Sequence, residues 1–87
     1  MTLEELVGAA DHEVWFRVED PDGGVHMFWT ADIFGGHEPT LEEFDPLRHY
    51  ECDDFNLVME CDPENHDTVP MVAVELMNRR HGRKRRL

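Results

Sequence analysis

The chain has 87 residues, with twenty Asp and Glu against eight Lys and Arg and a formal net charge of −12 at pH 7. A chain this acidic repels nucleic acid, anionic membrane and acidic partners and favours basic ones. At this length it forms one domain with a modest core; its two cysteines are too few for a disulfide scaffold, and no apolar run nears the roughly 18 residues of a membrane span.

The charge is unevenly spread. Residues 1–78 hold all twenty acidic groups and two basic ones, a balance of −18, while RRHGRKRRL (79–87) holds the other six basic groups. The expected organisation is therefore an acidic domain over 1–78 and a basic tail over 79–87. Leu, Ile, Val and Phe number twenty-one, above the roughly 20% below which highly charged chains stay disordered. The opening MTLEELVGAA carries acid where the n-region of a secretory signal needs base, so a soluble, cytoplasmic protein is expected.

TLEEL predicts a helix over about residues 2–10: Thr2 and Glu5 have the spacing of a capping box, and Leu3, Leu6, Val7 and Ala10 share one helical face. In EVWFRVED, Val14, Phe16 and Val18 alternate with Trp15, Arg17 and Glu19, the period of a half-buried strand. PDGG supplies a tight turn, and VHMFWT alternates again with Val25, Met27 and Trp29 on one side. ADIFGGHEP reads as a loop or one helical turn. TLEEF repeats the opening device, with Thr40 as cap and Glu43 as its partner. LRHYEC and FNLVMEC flank Asp53–Asp54 and read as a second hairpin, and DPENHD reads as a loop. MVAVELMNRRHG fits a strand or a helix; Arg79, Arg80 and His81 before Gly82 favour the helix. The expected fold is α+β, a four-stranded antiparallel sheet of two hairpins with N- and C-terminal helices on one face.

One chemical pattern stands out. His49 and Cys52, then Cys61 and His66, supply two Cys and two His, a donor set that suffices for tetrahedral zinc if a turn at Asp53–Asp54 brings the two cysteines together. A small zinc module is thus the alternative reading, although the order is not that of a standard finger; the leading reading takes no cofactor. Catalysis finds no foothold: the chain has no serine, its single lysine is in the tail, and no glycine-rich phosphate loop precedes a helix. The expectation is a protein that is not an enzyme.

The acids remain. Glu60, Asp62 and Glu64 alternate at the end of an expected strand, which spaces like charges about 6–7 Å apart on one face. A basic groove would accept such a row as it accepts a phosphate backbone. Glu51, Asp53 and Asp54 extend this edge, and Glu38, Glu42, Glu43 and Asp45 form a second cluster.

In its length, its TLEEL opening, the hairpin EVWFRVEDPDGGVHMFW and its acidic surface, the chain resembles small phage- or mobile-element-encoded proteins of the anti-CRISPR and DNA-mimic type. The likeness spans about residues 1–61 and is one of style and composition. It implies an inhibitor in the host cell's cytoplasm whose acidic surface occupies the nucleic-acid-binding groove of a basic protein or ribonucleoprotein, such as a CRISPR effector. The basic tail departs from that pattern. It would complement a helix dipole, lie against the acidic body, or grip a partner's RNA; of these, neutralising the body is expected, because it needs no partner.

Overall fold

A computed structural model describes residues 1–10 and 13–77. Its elements are α1 (Leu3–Gly8), β1 (Trp15–Glu19), β2 (Val25–Trp29), α2 (Thr30–Phe34), α3 (Glu38–Phe44), β3 (Cys52–Cys61) and β4 (Thr68–Leu76). The fold is α+β. The basic tail lies outside the described residues.

α1 begins as its sequence requires. The Glu5 amide donates to Thr2 Oγ1 at 3.2 Å and the Thr2 amide donates to Glu5 Oε1 at 2.8 Å, so the capping box is complete. Leu3 and Val7 point into the core. The second copy of the motif behaves differently. Pro39 sits in the first turn of α3, whose N-cap is His37, so Thr40 lies inside the helix and caps nothing. Proline fits the first helical positions because no intrahelical acceptor awaits its missing N–H, and it starts this helix upstream of the expected cap.

β1 and β2 form the expected hairpin, paired antiparallel from Trp15↔Trp29 to Glu19↔Val25. Its turn is built by Asp20: Oδ1 accepts from the amides of Asp22 and Gly24, both at 2.9 Å, and Gly23 takes the left-handed φ of 93°.

The second half of the chain corrects the expected topology. β3 runs unbroken through Asp53 and Asp54, which mark a register shift and not a turn, and the hairpin forms at residues 62–67 with β4 as its second arm. The segment MVAVEL, expected to be helical, is strand. β4 slots between β3 and β1, antiparallel to the first and parallel to the second, which gives a mixed sheet of order β2-β1-β4-β3. Composition explains the placement. β4 offers Met71 and Ala73 to one face and Val72, Val74 and Leu76 to the other, as an interior strand must. β3 carries Asp53, Asp54 and Glu60, which an edge leaves in water.

The core lies under one face of this sheet. Phe16, Val18, Phe28, Val74 and Leu76 meet Leu3 and Val7 of α1, Phe44 of α3 and Leu47. Phe28 and Phe44 meet edge to face at 5.5 Å, a geometry that adds about 0.5–1.5 kcal/mol to the burial of the rings. Arg48 straps this layer from outside: its guanidinium bonds Asp45 at 2.9 Å, reaches Glu4 of α1, and lies 5.8 Å from the centre of the Phe44 ring.

Candidate acidic partner-binding surface

Side chains on a strand alternate between faces, so the register assigns the sheet face that the helices leave open. Its residues form rows across the strands. One row is Trp29, Trp15, Met71 and Val58; the next is Met27, Arg17, Ala73 and Asn56; the third is Val25, Glu19, Glu75 and Asp54. The third row sets three carboxylates on adjacent strands, about 4.8 Å apart from strand to strand. Glu75 and Asp54 are exposed and Glu19 is half-buried. None of the three enters an ion pair among the described residues. Arg17, in the neighbouring row, is the basic side chain that β1 presents to this face.

At the other end of the open face the row of apolar residues is closed. Trp15 and Trp29 pack with ring centres 5.4 Å apart, and Met71 beside Trp15 is fully buried. Asp62 organises the loop there. Its Oδ1 accepts from the amides of Glu64 at 2.7 Å and Asn65 at 3.3 Å, and Oδ2 accepts from the Asn65 side chain at 3.4 Å. The Glu64 amide first, against the opposing effect of burial, and then Asn65 and the Trp15 side chain hold the Asp62 carboxyl below its ordinary range.

This changes the expected site. Glu60, Asp62 and Glu64 do not form one outward row: Asp62 is only 7% exposed and spends its oxygens inside the loop, while Glu60 and Glu64 are exposed on either side of it. Glu51 is paired with the N-terminal ammonium of Met1 at 3.0 Å. Glu43 is paired with His26, whereas Glu42 beside it is exposed and enters no ion pair among the described residues. Asp53 and Asp54 are exposed, but on β3 and not in the expected turn. The row of Glu19, Glu75 and Asp54 was missed because it joins three separated stretches. Its signal was present in Glu19, which ends an alternating run, and Glu75, which ends a continuous apolar one, but only the parallel pairing of β1 with β4 brings them together.

The expected zinc ligands are dispersed by β3. Cys52 and Cys61 occupy its opposite ends, opposite Leu76 and Thr68, and nine residues at about 3.3 Å each separate them by about 30 Å. His49 lies near Glu4, with Nδ1 4.0 Å from Oε1. No group of three metal-binding side chains gathers among the described residues. Burial, opposed by the nearby N-terminal charge, raises the Cys52 thiol pKa, which keeps it protonated and apolar in character. No helix among the described residues is long and apolar enough to cross a membrane. Comparison with protein-family models, curated proteins and solved structures returned no match.

Proposed function

We propose that this chain is a non-catalytic interaction protein that occupies a basic nucleic-acid-binding surface of another protein or ribonucleoprotein. It acts there as an inhibitor, in the manner of the anti-CRISPR and DNA-mimic proteins it resembles. The observation that carries the reading is the carboxylate row Glu19, Glu75 and Asp54 on an open sheet face. It stands on a body whose charge balance is −18 over residues 1–78. B-DNA presents one negative charge per about 3.4 Å along each strand. A row spaced by about 4.8 Å offers a basic groove a comparable density on a rigid support. Like charges set side by side on a sheet oppose folding, so the arrangement has an energetic cost that binding a basic partner would offset.

The decisive measurement is competition. A basic nucleic-acid-binding protein recovered from the native host on this chain is loaded with a short DNA or RNA duplex, and the chain is titrated in. Release of the duplex, strongest at low salt, is the expected outcome. The variant Glu19→Gln, Asp54→Asn, Glu75→Gln should release less. Duplex that stays bound at every concentration, or release unaffected by the substitutions and by salt, would remove the proposal.

A further inference from the structure

β3 is an edge strand that is still open. It follows β4 in the sheet order, and no strand pairs with its outer side among the described residues. The N-terminal segment blunts one end: Thr2 bridges Glu51, and the Cys52 amide donates to the Met1 carbonyl at 2.8 Å. From Asp54 to Glu60 nothing among the described residues pairs with the outer side of the strand. An uncovered edge is normally blunted by charge, proline or a bulge along its length. Here the bulge sits at Cys52–Asp54, and the five residues Phe55–Met59 hold neither charge nor proline.

Those five residues also present apolar surface. Phe55, Leu57 and Met59 point to the helix-covered side of the sheet but lie beyond the reach of the helices, and they are 50%, 69% and 61% exposed. Phe55 and Leu57 form one wall of a groove whose other wall is Leu6 of α1 and Ala10 just after it, over Phe16 and Val72. Backbone groups free to pair thus lie next to an apolar channel that takes side chains from alternate residues of an added strand.

Charge decides what is added. Asp53 and Asp54 stand at one end of the open stretch and Glu60 at the other. Antiparallel pairing of β3 with a second copy about Leu57 would set Asp54 against Glu60 at both ends, on top of repulsion between two chains of −12 each. A strand with basic side chains at those positions meets attraction instead.

We infer that β3 is a docking edge for an extended segment of a basic protein partner. That segment pairs antiparallel or parallel with residues 54–60, places apolar side chains on alternate residues beside Phe55, Leu57 and Met59, and carries Lys or Arg between them. The partner's charge rests on the function proposed above; the mode of contact does not. It is strand addition, in which main-chain bonds give affinity and alternate side chains give specificity.

The test is direct titration of the intact protein with a synthetic peptide of about ten residues that alternates Val with Arg, followed by amide chemical shifts. Shifts should concentrate on residues 54–60 and on Leu6 and Ala10. Two further peptides, N-methylated on the odd or on the even amides, read the pairing: one should lose binding and the other retain it, since an added strand turns only alternate N–H groups to its neighbour. Leu57→Thr, at a position too exposed to unfold the protein, should weaken the alternating peptide about tenfold. Equal binding of both methylated peptides, or of a peptide with Val and Arg in separate blocks, would overturn the inference. So would a protein that is dimeric in solution and becomes monomeric with Leu57→Thr. Strand pairing without any displacement of nucleic acid from basic proteins would support this inference and sink the proposed function; displacement with methylation-blind peptide binding would do the reverse.

Discussion

His26 on β2 stands between two carboxylates and ties the hairpin to α3: Nδ1 lies 2.6 Å from Glu43 Oε2, and Nε2 lies 2.8 Å from Asp20 Oδ2. Neutral imidazole has one N–H, and a carboxylate only accepts. Both contacts are satisfied only when the ring is doubly protonated. Burial lowers the His26 pKa, but the bonds to Asp20 and Glu43 together with their charge outweigh it and leave the value raised.

A raised histidine pKa contributes stability that is complete below the unfolded value, near 6.5, and is lost as pH climbs through the folded value. Asp20 works in the opposite sense. The His26 bond, followed by the Gly24 amide, lowers its pKa, so its contribution is present above about 3.9 and fades as pH falls through the folded value. Unfolding by urea, measured across the range, should therefore show stability declining above about pH 6.5. His26→Gln should flatten that decline, and an unchanged slope in the variant would show that the ring does not carry it.

The turn beneath His26 makes a second prediction. A Cβ on Gly24 would come within 2.7 Å of Asp20 Oδ2, the oxygen that bonds His26. Gly24→Ala should therefore act at a distance from its own backbone. It should displace the Asp20 carboxylate, destabilise the protein, and reduce the pH dependence assigned to His26. Gly23→Ala, where the strain comes from a φ of 93° with nothing within 4 Å, should destabilise by about 1 kcal/mol and leave the pH dependence intact. The pair separates local backbone strain from loss of the charge contact.

The hairpin and its Asp-Gly turn were legible in the sequence because alternation and turn residues are adjacent there. β4 was not, for a reason particular to its place. Ala73 on the open face is paired with Arg17 and Asn56, and Val72 and Val74 on the other face meet the core, so apolar residues fill both sides and no period of two remains to read. The run Val72, Val74 with Val69 was the usable signal, since branched side chains favour strands; the basic residues after Met77 weighed against it. Asp53–Asp54 illustrates a signal read correctly and given the wrong consequence. The two acids do interrupt the ladder, as a register shift, but an edge strand tolerates the interruption without turning back. The paired TLEEL and TLEEF show the same five-residue logic decided by its neighbours, with Pro39 displacing the second cap. The acidic row of the open face was beyond reach, because sheet order creates it.

The tail offers a prediction that depends on charge alone. Residues 82–87 carry four of the basic groups, and removing them moves the formal charge from −12 to −16. If the tail offsets the body, the truncated protein should be less stable than the full chain at about 20 mM salt and nearly equal at about 300 mM, where the screening length falls well below 10 Å. Urea midpoints at the two salt concentrations check this. Equal stability at both would mean that the tail does not neutralise the body.

Glu75 allows stability and binding to be set against each other at one residue. It lies in the middle of the open-face row, directly opposite Glu19 on β1 and Asp54 on β3. Like charges directly opposite across strands destabilise, on the scale of about 0.2–1 kcal/mol for a cross-strand pair. Glu75→Gln removes the central charge and both repulsions while keeping the shape of the side chain. At low salt the variant should therefore be more stable than the parent, and the gain should shrink as salt screens the two repulsions that the parent suffers. For the same reason it should bind a basic partner less well, since the row loses its central carboxylate. A substitution that stabilises the free protein and weakens the complex is the signature of a surface held against its own folding preference for the sake of a partner. Asp22→Asn, in the turn between β1 and β2 and away from this row, is the control and should leave binding unchanged. Should Glu75→Gln stabilise the protein while binding stays at the parent level, the row would be a burden on the fold with no part in recognition.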